Sequence, residues 1–137
     1  MAIGMTKITN SVIETTEPVA AASIEWASAT GGAVLNAGSG EIFQEIQIQV
    51  SVVFNASATG DANLHIRYSS DDGTTKDSEG LNTFARVIGC DPGNTVIITH
   101  HVYGVFDYMD VGMENEDTSY ALNWSAKYSG IKITGMN

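Results

Sequence analysis

The chain has 137 residues, the size of one domain, and six lysines and arginines against sixteen aspartates and glutamates give it a formal charge of −10. A surface that acidic repels phosphate backbones and anionic headgroups instead of releasing their counterions, so neither nucleic acid nor a membrane is expected as a partner. Only 16% of the residues are charged, and Ser, Thr, Asn and Gly supply most of the polar surface, a composition of ordered domains and not of disordered acidic tails.

Residues 1–19 are small or polar with scattered Ile3, Ile8, Val12 and Ile13. This is the pattern of an extended N-terminal arm or a short edge strand, ahead of a domain at 20–137. The start lacks the basic residues and the apolar run of about seven to fifteen residues that secretion needs, and no apolar run reaches the ~20 residues of a spanning helix, so folding in a cytoplasm is expected. Residues 19–26 read as a strand followed by the loop Ala27-Ser28-Ala29-Thr30-Gly31, whose wording recurs as Ala56-Ser57-Ala58-Thr59-Gly60. Two copies do not make a repeat architecture, and the match reads as convergent loop chemistry. Residues 33–36 form a short strand before the turn at Ala37-Gly38-Ser39-Gly40.

Residues 42–54 (IFQEIQIQVSVVF) carry the clearest signal in the chain. Ile42, Ile46, Ile48, Val50, Val52 and Phe54 alternate with Glu45, Gln47, Gln49 and Ser51, the period of two that marks a half-buried strand. At ~3.3 Å per residue such a strand spans about 43 Å, long enough to require a bend or a passage between two sheets. Its polar face, with Gln44, Gln47, Gln49 and Glu45, suits a neighbouring subunit as well as water.

Ala62, Leu64, Ile66 and Tyr68 alternate with Asn63, His65 and Arg67, and the strand ends at Ser69-Ser70-Asp71-Asp72-Gly73, an Asp-Gly hairpin signal. Further strands are expected at 81–88, 95–103, 106–113, 120–128 and 131–134. They are divided by Cys90-Asp91-Pro92-Gly93-Asn94, by Gly104, by the acidic run at 114–117 and by Ser129-Gly130. The total is eight or nine strands with little helix, an all-β antiparallel β-sandwich of jelly-roll or immunoglobulin-like type. In the penultimate strand Tyr120, Leu122, Trp124, Ala126 and Tyr128 share one face and are expected to fill the core; a sugar-binding platform requires that row on an exposed face.

Chemistry is scarce. No phosphate-binding loop, dinucleotide fingerprint, zinc-protease helix or nucleophile elbow occurs. His100 and His101 leave a strand on opposite faces and, with His65, offer a two-histidine site at best, so no metal is expected. Asp71, Asp72, Asp77 and Glu79 crowd one turn, and Glu114, Glu116 and Asp117 another. Either group offers oxygens to Ca²⁺, yet neither follows the twelve-residue loop, and solvated acids need no ion. The single cysteine, Cys90, excludes a disulfide within the chain and has no basic neighbour to activate it. No cofactor is expected.

From residue 56 to 135 the wording ATGDANLHIRYSSDDGTTKDSEGLNTFARV, then GNTV, then YMDVGMENEDTSYALNWSAKYSGIKITG has a particular cadence. It resembles the small β-sandwich accessory proteins of tailed bacteriophage virions, in which a hairpin like residues 66–73 precedes a strand like 111–115 and a last hairpin like 120–134. The resemblance implies a non-enzymatic virion structural protein assembled in the host cytoplasm. Within that class it points to a capsid decoration (cement) protein that binds the major capsid protein or other virion proteins as a homo-oligomer, with a trimer favoured. No functional residue is carried over, because such families bind by surfaces. The expected contacts are the arm (Ile3, Ile8, Val12, Ile13) and the turns around Asp72, Gly73 and Asn115. The alternative is a carbohydrate-binding module or receptor-binding tip of a virion fibre, with Trp26 or Trp124 and Tyr128 stacking on sugar. An enzyme, with Asp72 or Glu116 in a carboxylate pair, comes third.

Overall fold

The computed structural model describes residues 3–134; Met1 and Ala2 of the expected arm and residues 135–137 of the expected domain lie outside the described residues. In chain order the elements are β1 (Gly4–Val19), β2 (Ser23–Trp26), a 3₁₀ turn (Ala27–Ala29), β3 (Leu35–Asn36), β4 (Ile42–Val53), β5 (Ala62–Tyr68), β6 (Phe84–Ile88), β7 (Thr95–Phe106), β8 (Tyr108–Asn115) and β9 (Leu122–Thr134). They make two antiparallel sheets, β1-β9-β4-β7 and β2-β8-β5-β6, with β3 also on β8. β2 pairs with residues 112–115 of β8 and β3 with 108–109, so these two behave as one interrupted strand. The pairing is then nested: first with last (β1 with β9), second with next to last, β4 with β7, and β5 with β6. That nesting is the jelly roll, which separates the fold from the immunoglobulin-like sandwich.

β4 lies in one sheet throughout, between β7 and β9, and does not pass between sheets. It manages its length with a bulge at Glu45, whose φ is +50°, and both ladders shift register between Gln44 and Ile46. The bulge also resets the alternation. Ile46, Ile48, Val50 and Val52 face the core as the period requires, but before the bulge it is Phe43 that is buried, while Ile42 is only half-buried. Two expected breaks are absent. β7 runs through Gly104 (φ +108°), which supports a bulge, and β9 runs through Ser129-Gly130 because Gly130 lies against the Glu45 carbonyl, where a side chain would come within 2.8 Å. Leu81 is outside any strand and β6 starts at Phe84.

Residues 4–19 are an edge strand, long and not short, paired with β9 along its length through three register shifts. Ile13 and Val19 enter the core, and Ile8 packs against it. The core itself is apolar: Phe43 to Val52 of β4, Leu122, Trp124 and Ala126 of β9, Leu64 and Ile66 of β5, and Met109, Val111 and Met113 of β8. Each large side chain removed from water there contributes about 1.5–3 kcal/mol. Tyr120, by contrast, is 41% exposed and lies outside this row.

The far face of the five-stranded sheet is a second interior, and a polar one. Asn63, His65 and Arg67, the polar positions of the β5 alternation, lie beneath the 3₁₀ turn, Trp26 and the 69–83 loop. Asp110 is fully buried; one carboxylate oxygen accepts from Arg67 Nη2 at 2.8 Å and Nε at 3.1 Å and from Ser28 Oγ, the other from the amides of Ser28 and Val111. The Arg67 guanidinium stacks 3.9 Å from the centre of the Trp26 ring, and Trp26 Nε1 donates to Glu79 at 2.6 Å. Such a network is stable only when every member is satisfied.

Candidate interaction surface

The sequence-predicted contact residues do not converge. Ile13 is fully buried and Asn115 is 1% exposed. Asn115 is a strut: its Nδ2 donates to the carbonyls of Val19, Ala20 and Tyr120, and its Oδ1 accepts from Asp117 N. Both are corrected from partner contacts to parts of the fold. Asp72 is exposed but accepts from Asn36 Nδ2 at 2.6 Å, and Gly73 (φ +86°) sits so close to Tyr108 that a side chain would meet the ring at 2.6 Å. The Asp-Gly pair forms a tight turn with both central φ positive, anchored to its own domain and placed inside the 69–83 loop. Of the arm residues, Ile3 and Val12 are exposed.

Val12 belongs to a larger feature, the outward face of the sheet β1-β9-β4-β7. Along it Met5, Val12, Ile97, Tyr103 and Val105 are each more than half exposed, among Gln44, Gln47, Gln49, Ser51, Ser125 and Ser129. The ring of Tyr103 stacks on exposed His101 at 5.9 Å. Where the bulges of β4 and β7 meet, Met5, Lys7, Glu45, Gln47, Tyr103 and Ile131 line a shallow groove of about 640 Å³. The four strands hold Lys7, Lys127 and Lys132 against Glu14, Glu17 and Glu45 and are neutral together, so the whole −10 lies elsewhere on the molecule. Glu14 is buried and Glu17 half-buried, both on β1, and Glu45 is the one acid of β9, β4 and β7. A face about 19 Å wide and about 36 Å long offers roughly 700 Å², near the ~800 Å² that each partner gives to a standard interface. The polar half of this face was readable from β4; the apolar half was not, although acid-free runs at 95–106 and 121–134 were its signal.

The acidic turns are structural. Asp71, Asp77 and Glu79 accept from Thr75 N, Tyr68 N and Trp26 Nε1 respectively, and no three metal-binding side chains converge among the described residues. Asp117 accepts four backbone amides, those of Thr59 (2.7 Å), Ser119 (2.8 Å), Tyr120 (2.8 Å) and Gly60 (3.1 Å), which hold its carboxyl far below the usual carboxylate range. For Glu114, burial pushes the pKa up, but hydrogen bonds from Asn63 and His65 outweigh it and leave the group lowered. A carboxyl depressed by folding contributes stability above its unfolded pKa, about 4, that is lost as pH falls toward the folded value. Thermal melts are therefore expected to drop steeply below about pH 4, and Asp117→Asn to melt lower at pH 7 with a flatter acid limb; an unchanged limb contradicts this assignment.

The second Thr-Gly pair of the repeated loop wording thus leans on Asp117, and the first places Thr30 Oγ1 against Glu14. Thr83, His65 and Glu114 make a hydrogen-bonded chain (2.8 and 3.0 Å), and with Thr83 and His65 each 2% exposed this chain braces the sheet. Cys90 is half-buried, and burial, with Asp61, Asp117 and Asp91 nearby, pushes its thiol pKa up. Trp26 and Trp124 are 4% and 1% exposed, and half-buried Tyr128 packs edge-on to Phe43, so the aromatic set expected to stack on sugar is enclosed. Comparison of the chain with protein-family models, with curated proteins and with solved structures finds no match.

Proposed function

We propose that the chain is a non-enzymatic structural protein of a virion, a decoration protein that docks on the outer surface of a bacteriophage capsid through the outward face of the sheet β1-β9-β4-β7. The observation that carries the reading is this one neutral, apolar-studded face on a chain of charge −10. An acidic exterior keeps the protein off packaged nucleic acid, and a face on which lysines balance the few acids lets it approach a protein shell without net like-charge repulsion. The sequence cadence at 56–135 supplies the virion assignment. The jelly roll serves capsid and lectin domains alike and does not decide between them.

A sugar-binding role has one observation in its favour, the exposed Tyr103 stacked on His101 beside Gln47. Co-sedimentation with purified capsid shells that lack the protein separates the readings. Saturable binding and a raised melting temperature of the shells are expected; no shell binding together with a saturable tyrosine fluorescence change on adding glycans supports the lectin role instead.

A further inference from the structure

The two outer edges of the four-stranded sheet differ in kind. β1 is bulged three times, and the carbonyl of Ile13 already accepts from Ala33 N at 2.6 Å, devices that keep an edge from recruiting another strand. β7, at the other edge, pairs with β4 alone among the described residues. Its residues 95–102, TVIITHHV, run in unbroken register with residues 46–53 of β4 and hold no Lys, Arg, Asp, Glu or Pro. The Arg86 side chain, itself exposed, donates to Thr99 O at 3.0 Å from the free side. A strand residue directs its N–H and C=O to the same side, so Thr99, and with it Ile97 and His101, present main-chain groups to the open edge, while Ile98 and His100 bond to β4.

We propose that this edge is a self-association site, where β7 pairs antiparallel with β7 of a second copy to make a continuous eight-stranded sheet across a two-fold axis. A second copy is the occupant because charge selects it. Two molecules of charge −10 repel over most approaches, whereas residues 95–102 bring no acid to the seam and the ion beside them is a cation, Arg86 on the Thr99 carbonyl, which weakens the negative field at this edge. The β-branched run Thr95, Val96, Ile97, Ile98 and Thr99 suits cross-strand pairing. The product is a dimer, whereas the family resemblance implies a trimer. This inference stands independently of the capsid reading.

The test is sedimentation velocity of the full chain over micromolar to ~100 µM, with two variants. Thr99→Pro removes a donor from the open edge and no bond to β4, and Ile97→Lys, at a residue 62% exposed, brings two lysines together across the axis. The native chain is expected to dimerise, and each variant, folded by circular dichroism, to weaken the dimer at least tenfold. A native chain that stays monomeric, or an oligomer unchanged in both variants, overturns the proposal. A chain that dimerises in this way yet binds no shell leaves it standing and overturns the decoration role alone.

Discussion

Arg67→Ala is expected to destabilise the protein by about 3–5 kcal/mol, although residue 67 touches no part of the apolar core directly beneath its strand. The loss comes from Asp110, which is fully buried and is left without its 2.8 Å partner. Trp26 also loses the guanidinium stacked on its ring. For a domain of about 150 residues each kcal/mol shifts the melting temperature by about 2–4 °C, so a fall of roughly 10 °C is expected in a thermal melt. Adding Asp110→Asn removes the orphaned charge while an amide still serves the Ser28 and Val111 amides, so the double variant is expected to be more stable than Arg67→Ala alone. A double variant less stable than the single one contradicts the assignment of the cost to the unpaired carboxylate.

That network shows where sequence reading stopped. β4, β5 and β8 were legible because one face of each is apolar at every second position, and the period of two survives any tertiary context that buries one face. Asn63, His65 and Arg67 carry the same period, yet the pattern cannot say that the 27–34 excursion and the 69–83 loop close over them. Whether a polar face meets water or a covering loop is decided by residues far away in sequence, here Ser28, Glu79 and Thr83. Bulges were lost for a related reason. Glu45 with positive φ is locally indistinguishable from any outward glutamate, but it moves Phe43 into the core in place of Ile42. Gly104 and Gly130 were read as breaks because glycine marks both turns and close approaches, and only the neighbouring strand separates the two.

The proposed contact surface was half legible. Alternation in β4 marked Gln47 and Gln49 as outward, but the residues that give the face its apolar area, Met5, Tyr103, Val105 and Ile131, come from three other strands whose adjacency depends on the nested pairing. The turns at Asp72 and Asn115 drew attention by composition. Their side chains are consumed within the domain by Asn36 and by the carbonyls of Val19, Ala20 and Tyr120.

Placing acids on this neutral face tests the central claim most directly. Met5 and Val105 are 64% and 63% exposed on the two edge strands of this sheet, β1 and β7, and Leu81, 96% exposed, lies in the 69–83 loop of the other sheet. The measurement is the affinity of the chain for capsid shells, comparing Met5→Glu with Val105→Glu against the control Leu81→Glu, all three confirmed as folded. The paired variant is expected to lose shell binding by tenfold or more, at least about 1.4 kcal/mol, with the control binding as the native chain does. Undiminished binding by the paired variant, with loss in Leu81→Glu, would place the docking surface on the other sheet and contradict the account.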